Sequence, residues 1–177
     1  MLEFFNTIIA YFQKHNIPYM LSGSVAMSIY ITPRATRDFD FIIHLQENEV
    51  PKLVEHFKEG YYCDKDAIID AIQNKGIFNI IDHKSGFKAD FVILKDDIFR
   101  QTEFNRKVQT DFFNIPIFIV TAEDLLLSKL IWIQDLQSAI QMEDIKNIAE
   151  LENLDWKYIN KWIILLNLNT FNLINND

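Results

Sequence analysis

Only one cysteine, Cys63, stands in the 177 residues, so no intrachain disulfide can form. The four histidines, His15, His44, His56 and His83, share no spacing that a structural zinc site uses. No apolar run reaches the roughly 18–20 residues needed to cross a bilayer, and Met1–Phe5 lacks the basic stretch of a signal peptide. These absences point to a cytoplasmic protein with no membrane partner. Basic residues are also scarce: 17 Lys and Arg stand against 25 Asp and Glu, a formal charge of -8. That balance repels a polyanion overall and disfavours a general nucleic-acid binder, whose affinity rests on phosphate neutralisation.

Apolar surface, by contrast, is plentiful. Hydrophobic residues make up 49% of the chain and fifteen are Phe, which is a globular composition. The length suits one medium domain, or a small catalytic domain with a helical annex. Residues 1–44 carry three basic side chains (Lys14, Arg34, Arg37) and three acidic ones (Glu3, Asp38, Asp40), whereas 120–177 carry nine acidic and four basic. The excess negative charge therefore lies outside residues 1–44.

Leu2, Phe5, Ile8, Ile9 and Phe12 recur at helical spacing, and Asn16-Ile17-Pro18 ends that helix before a short strand at 19–21. A helix is predicted from Ser24 to Tyr30, then a strand through Phe39–Ile43. Helices follow at about 49–59, stopped by Gly60, and at 64–73. A strand at 76–81 turns through Asp82-His83-Lys84-Ser85-Gly86 into the strand 87–94. After a helix near 97–104 and a strand at 115–120, Thr121 has the chemistry of an N-cap. The rest reads as helices near 122–136, 140–152 and 156–166. The division that follows is 1–120 as a catalytic domain and 121–177 as a helical segment packed on it.

Leu21-Ser22-Gly23-Ser24 leads from a strand into a helix. Backbone N–H groups around Gly23 and Ser24 can therefore face a phosphate, aided by the positive end of the helix dipole. Downstream, Asp38 and Asp40 are two apart in a strand, so both carboxylates share one face while Phe39 and Phe41 share the other. Two close anions in an apolar strand repel each other, and a divalent cation with oxygen ligands, Mg2+ or Mn2+, would neutralise them. The plain alternative is a strand end whose acids reach solvent or basic neighbours. Asp90, the only acid inside another apolar strand, is the candidate third ligand of a two-metal site.

Gly23-Ser24, thirteen intervening residues and Asp38-Phe39-Asp40-Phe41 resemble the signature of the DNA polymerase beta-like nucleotidyltransferase superfamily, with Asp90 at the place of its third acid. The stretch 21–41, with Pro33-Arg34-Ala35-Thr36-Arg37 just before the acidic pair, is closest to the bacterial branch that includes AbiEii-type toxin nucleotidyltransferases. Supporting similarity extends through 121–130 and 141–145. The resemblance implies an α/β (α+β) nucleotidyltransferase fold, a small mixed sheet flanked by helices with a helical C-terminal segment. It implies transfer of a nucleoside monophosphate from an NTP to a hydroxyl acceptor, whether an RNA end, a protein or a small molecule. It also brings an antitoxin-like protein into view as a partner, and with it the alternative of a catalytically silent, partner-binding module. Ile31, where glycine is usual in such sequences, departs from the pattern, as does the paucity of basic residues near the pocket.

Lys129 follows Leu125 and Leu126 by one turn and precedes Trp132 and Ile133, so it projects from the apolar stripe of its own helix. The resemblance makes it a ligand of the NTP phosphates; the physical alternative is snorkelling to solvent along its own stem. Asp144 is implied as its charge partner, or else is an exposed helix acid. Arg37, and with it Arg34, brackets the acidic pair as a phosphate contact or a loop-anchoring ion pair. Trp156, Tyr158 and Trp162 fall at helical spacing and read as core packing.

Overall fold

The apolar stripe at the N-terminus forms helix α1 (Leu2–His15), which ends where Asn16 adopts a left-handed φ of 53°. The computed structural model describes residues 1–32 and 36–174. In chain order there follow β1 (Tyr19–Ser22), α2 (Gly23–Tyr30), β2 (Asp38–Ile43), α3 (Val50–His56), β3 (Tyr61–Cys63), α4 (Lys65–Asn74) and β4 (Ile77–Asp82). Next come β5 (Lys88–Ile93), α5 (Ile98–Arg106), β6 (Val108–Phe112), β7 (Ile115–Ile119), α6 (Ala122–Asp135), α7 (Ala139–Ala149) and α8 (Trp156–Leu165). Side-chain caps start several of these helices: Asp64, Asp97, Thr121 and Asp155 each accept from a backbone N–H three residues on. None of the described helices is long and apolar enough to cross a membrane.

The strands form one mixed sheet in the order β3-β4-β5-β2-β1-β7-β6. β2 runs parallel to β5 and β1 parallel to β7, while the other neighbours are antiparallel. This is the mixed α/β architecture expected from the sequence. In β2 and β5 successive side chains point to opposite faces of the sheet. Phe39, Phe41 and Ile43, with Ala89, Phe91 and Ile93, are buried on one face, and Asp38, Asp40, Lys88 and Asp90 stand on the other.

The buried face is closed by the aromatic stripe of α1. Phe5 lies 5.1 Å from Phe39, and Phe12 lies 5.8 Å from Phe41 and 5.9 Å from Phe91, between ring centroids. Phe91 also stacks on Phe41 at 5.6 Å and on Phe78 at 4.9 Å. The sheet positions its charged face because its other face is so firmly committed.

Two strands escaped the sequence reading. β3 is a three-residue edge strand beyond Gly60 (φ 84°), in the gap between the helices expected at 49–59 and 64–73; α3 stops at His56, short of the expected end, and Phe57 turns its ring onto Tyr11 and Tyr61. β6 joins β7 through Phe113 and Asn114, both left-handed (φ 49° and 63°), a tight hairpin that lacks the usual Asn-Gly signal. The hairpin between β4 and β5 is as expected. There the Asp82 carboxylate accepts from the N–H groups of Lys84 (3.1 Å) and Ser85 (3.2 Å) and from the Ser85 hydroxyl.

α6 packs against α2, α7 and α8. The fully buried Asp124 ties this region together by accepting from Thr121 Oγ1 (2.7 Å), Arg106 Nε (2.9 Å) and Tyr158 Oη (2.5 Å). Trp162 is buried edge-on to Phe99 at 5.1 Å, so the aromatic residues of α8 serve packing.

Replacing Phe91 by Ala empties the centre of the aromatic layer. The expected loss is about 3–5 kcal/mol of folding stability, measured as a fall in the midpoint of chemical denaturation. A loss below about 1 kcal/mol would mean that this layer is not the core on which the sheet rests.

Candidate active site

The acidic residues come together by register. In the parallel β2–β5 pair Asp40 lies directly opposite Asp90, and Asp38 opposite Lys88. Across the other edge of β2, Asp40 lies opposite Ser22, the last residue of β1. Neighbouring strands are about 4.8 Å apart, so side chains at one level on one face are neighbours. Burial pushes the Asp40 carboxyl above the usual carboxylate range, and the negative charges of Asp90 and Asp38 push it further, while Lys129 and the Ser24 N–H pull the other way.

A cation that was not singled out from sequence sits among these acids. Lys88 Nζ is 2.8 Å from Asp90 Oδ2, and its ammonium is held above the usual lysine range by that bond and by the charges of Asp90, Asp38 and Asp40. The signal was available: Lys88 is two before Asp90 and therefore on the same face of the strand. As the side chains stand, no group of three His, Cys, Asp or Glu residues among those described is arranged to hold a metal ion. The donor set is nevertheless one of carboxylate oxygens only, the hard ligands that Mg2+ and Mn2+ take, and it draws positive charge toward itself through Lys88.

The turn from β1 to α2 presses directly on Asp40. Gly23 has φ +62°, and a Cβ built on it would lie 1.9 Å from Asp40 Oδ2. No other residue type leaves room for that carboxylate. The Ser24 N–H, at the helix start expected from sequence to face a phosphate, bonds to the Asp40 carboxylate, so the helix entrance and the acid form one unit.

Lys129 points inward and does not snorkel. It is buried, and its Nζ donates to Asp144 Oδ2 at 2.8 Å and to Gln141 Oε1 at 2.9 Å. Asp144 is thereby the charge partner rather than an exposed helix acid. Arg37 is exposed and makes no ion pair with the described residues, although its carbonyl accepts from Lys88 N at 3.3 Å. Arg34 lies outside the described residues.

Ser22, Gly23, Ser24, Asp40, Lys129 and Gln141 line a cleft of about 440 Å3. The cleft continues to Arg100, which the sequence reading passed over. Arg100 Nη1 donates to Glu103 Oε2 (2.9 Å) and to Ser128 Oγ (2.5 Å), and Glu103 is fully buried. No motif marks Arg100; only the meeting of α5 with α6 brings it to the cleft wall. Asp40 on the cleft wall with Asp90 level beside it, a glycine turn and buried or anchored cations can together hold a polyphosphate and a divalent ion.

No protein-family model matches the chain, and no curated protein does. Solved structures do resemble it. The lincosamide antibiotic adenylyltransferase LnuA, in its lincomycin-bound crystal structure, superimposes with a TM-score of 0.55 at 14% identity, over 81% of this chain and 92% of that one. The crystal structure of ANT(2'')-Ia in complex with adenylyl-2''-tobramycin gives a TM-score of 0.62 at 10% identity, over 93% and 95% of the two chains. An antigenic nucleotidyltransferase-like protein from Paracoccidioides brasiliensis gives 0.53 at 14% identity, over 93% and 86%. At such low identity the likeness is one of architecture: this chain has the fold of these nucleotidyltransferases.

Proposed function

We propose that this protein transfers a nucleoside monophosphate from an NTP to a hydroxyl acceptor and releases pyrophosphate. The observation that carries the reading is the unit formed by Gly23, Ser24 and Asp40, set level with Asp90 on a nucleotidyltransferase fold. In this reading Asp38, Asp40 and Asp90 hold Mg2+ or Mn2+. When bound, such an ion neutralises the acids and polarises the phosphoryl oxygens.

Gly23 and Ser24, at the start of α2, seat the phosphates, and Lys129 supplies a buried positive charge beside them. Arg37, exposed and next to Asp38 in sequence, is assigned to the same phosphates. Asp90 receives the proton of the acceptor hydroxyl; the new phosphorus–oxygen bond forms as the bond to the pyrophosphate leaving group breaks. Catalysis of this kind rests on positioning and charge stabilisation more than on covalent chemistry by the protein.

Several finer assignments go with this reading. The stretch 21–41 supports a place in the AbiEii-type branch, and with it an antitoxin-like protein partner and a cytoplasmic setting. Residues 1–120 form the catalytic unit, to which the helical segment 121–177 contributes Lys129. Among acceptors a small molecule is favoured, since the two better superpositions with bound ligands carry an antibiotic or its adenylylated product.

The test pairs chemistry with stability. Asp40→Asn keeps the shape of the side chain and removes its charge. Transfer of label from [α-32P]NTP with Mg2+ to a panel of hydroxyl compounds should fall by at least about a hundredfold, and excess EDTA should abolish it in the parent protein. The same variant should be more stable than the parent near neutral pH. The Asp40 carboxyl is raised in the folded state, so the folded protein binds its proton more readily than the unfolded chain does. Stability therefore falls as pH rises from the ordinary carboxylate range through that raised value. The gain in melting temperature of Asp40→Asn should shrink to nothing at acid pH, below about 4. Label transfer that survives Asp40→Asn would sink the assignment, and absence of any NTP binding by the parent would favour a silent, partner-binding protein.

Gly23→Ala supplies an independent check. The added methyl group meets Asp40 Oδ2 and an unfavourable φ, so activity should drop by a further order of magnitude or more even where circular dichroism shows the fold intact. Wild-type activity in this variant would show that the contact between the turn and Asp40 is immaterial.

A further inference from the structure

The cleft does not end at Asp40. On the same face, two residues beyond Asp40 and Asp90, stand Ile42 and Val92, and β4 adds Ile77 opposite Val92. Ile77 is 61% exposed, and Trp132 on α6, in the same cleft wall, is 63% exposed. Two large apolar groups left open on a cleft wall form a floor and a side for an apolar or planar molecule.

Past this strip the character changes. Leu94 hydrogen-bonds to the end of β2 through Ile43, and its carbonyl accepts from Lys75 Nζ at 3.4 Å. Lys75, Lys95 and Arg100 all line the cleft, Lys75 beside Leu94 and Arg100 beside Ser128. Lys75 shares its charge with the exposed Asp96, and Arg100 is anchored by Glu103, while Lys95 makes no ion pair with the described residues. Leu94, the residue after β5, lies four residues from Asp90, about 13 Å at the rise of an extended strand.

The base at the far end of a nucleotide carries no negative charge, so it would offer these cations no partner. A polycationic acceptor would meet three cations there. We propose that the strip and its cationic end form the acceptor subsite. Its ligand is a hydroxyl compound with an apolar or aromatic body and a carboxylate or phosphate group remote from the reacting hydroxyl. The floor of Ile42, Ile77 and Val92 carries the body, and Lys75, Lys95 and Arg100 hold the anion. This inference rests on the transfer reading given above.

Binding of 8-anilinonaphthalene-1-sulfonate, an aromatic anion, tests it apart from catalysis. Its neutral counterpart N-phenyl-1-naphthylamine serves as the control for charge. The sulfonate dye should bind the whole protein at one saturable site, and more tightly than the neutral one. Lys95→Glu, at an exposed position, should weaken the sulfonate by about tenfold or more and leave the neutral dye unchanged. Ile77→Asp should weaken both. ATP without metal should not displace the sulfonate dye.

Absence of saturable binding, equal affinity for the two dyes, or indifference to Lys95→Glu would overturn the subsite. Displacement by ATP would show that the strip belongs to the nucleotide and would overturn it as well. A protein that binds the dye as described but transfers no nucleotide to any acceptor would instead refute the enzymatic reading. The two failures are thereby told apart.

Discussion

The contact between the bare Cα of Gly23 and the carboxylate of Asp40 is the constraint around which this face of the molecule is organised. Asp40 sits on a strand whose other face is committed to the aromatic layer under α1, so it cannot turn away without lifting β2. Asp90 is brought level with it by parallel pairing, and like charges side by side oppose folding. The fold tolerates this because Lys88, the Ser24 N–H and, from a greater distance, Lys129 each offset part of the negative charge. A stability gained by removing that charge would come at the site itself, which is where folding and function commonly pull apart.

The sequence made the acid end of the cleft legible because the two periodicities involved are short and local. A spacing of two in an apolar strand places Asp38 and Asp40 on one face, and the same rule applied to Lys88 and Asp90 would have found the lysine as well. The register that sets Asp40 against Asp90 is not local, since it joins residues fifty apart and depends on a parallel pairing that no turn specifies. For the same reason Arg100 stayed hidden: nothing in Ile98–Arg106 marks it, and its role arises from Ser128 and Glu103. Of the strands, β3 and β6 carry no sequence signal because each lies at a sheet edge, has no fully buried residue and borders left-handed residues other than a simple Asn-Gly pair. Lys129 was readable as an anomaly, a charge inside an apolar stripe, although only the structure supplies Asp144 and Gln141 as its partners.

Three polar clusters bind the helices to one another: Asp124 with Arg106 and Tyr158, Glu103 with Arg100 and Ser128, and Asp144 with Lys129. Each couples a buried carboxylate to a cation that reaches a more open surface or the cleft. Removing either partner would leave a charge without compensation, which is far costlier than losing the pair together. The cations at the cleft are therefore oriented by the interior of the protein, and their guanidinium or ammonium groups are preorganised rather than recruited by a ligand. This arrangement places electrostatic order in the helical segment and the acidic order in the sheet, with the cleft between them.

The ion pair between Lys129 and Asp144 also links α7 to the sheet, since Lys129 acts on Asp40 from α6 while Asp144 holds it from α7. Undocking α7 would leave the lysine with a freed charge and a vacated niche, and would alter the field at the acids without touching a single strand. Any ligand that favours the oriented lysine therefore also favours the docked helix, by the reciprocity that governs linked equilibria. In that sense α7 is a thermodynamic lever on the cleft: its protection from hydrogen exchange is a gauge of what the cleft holds.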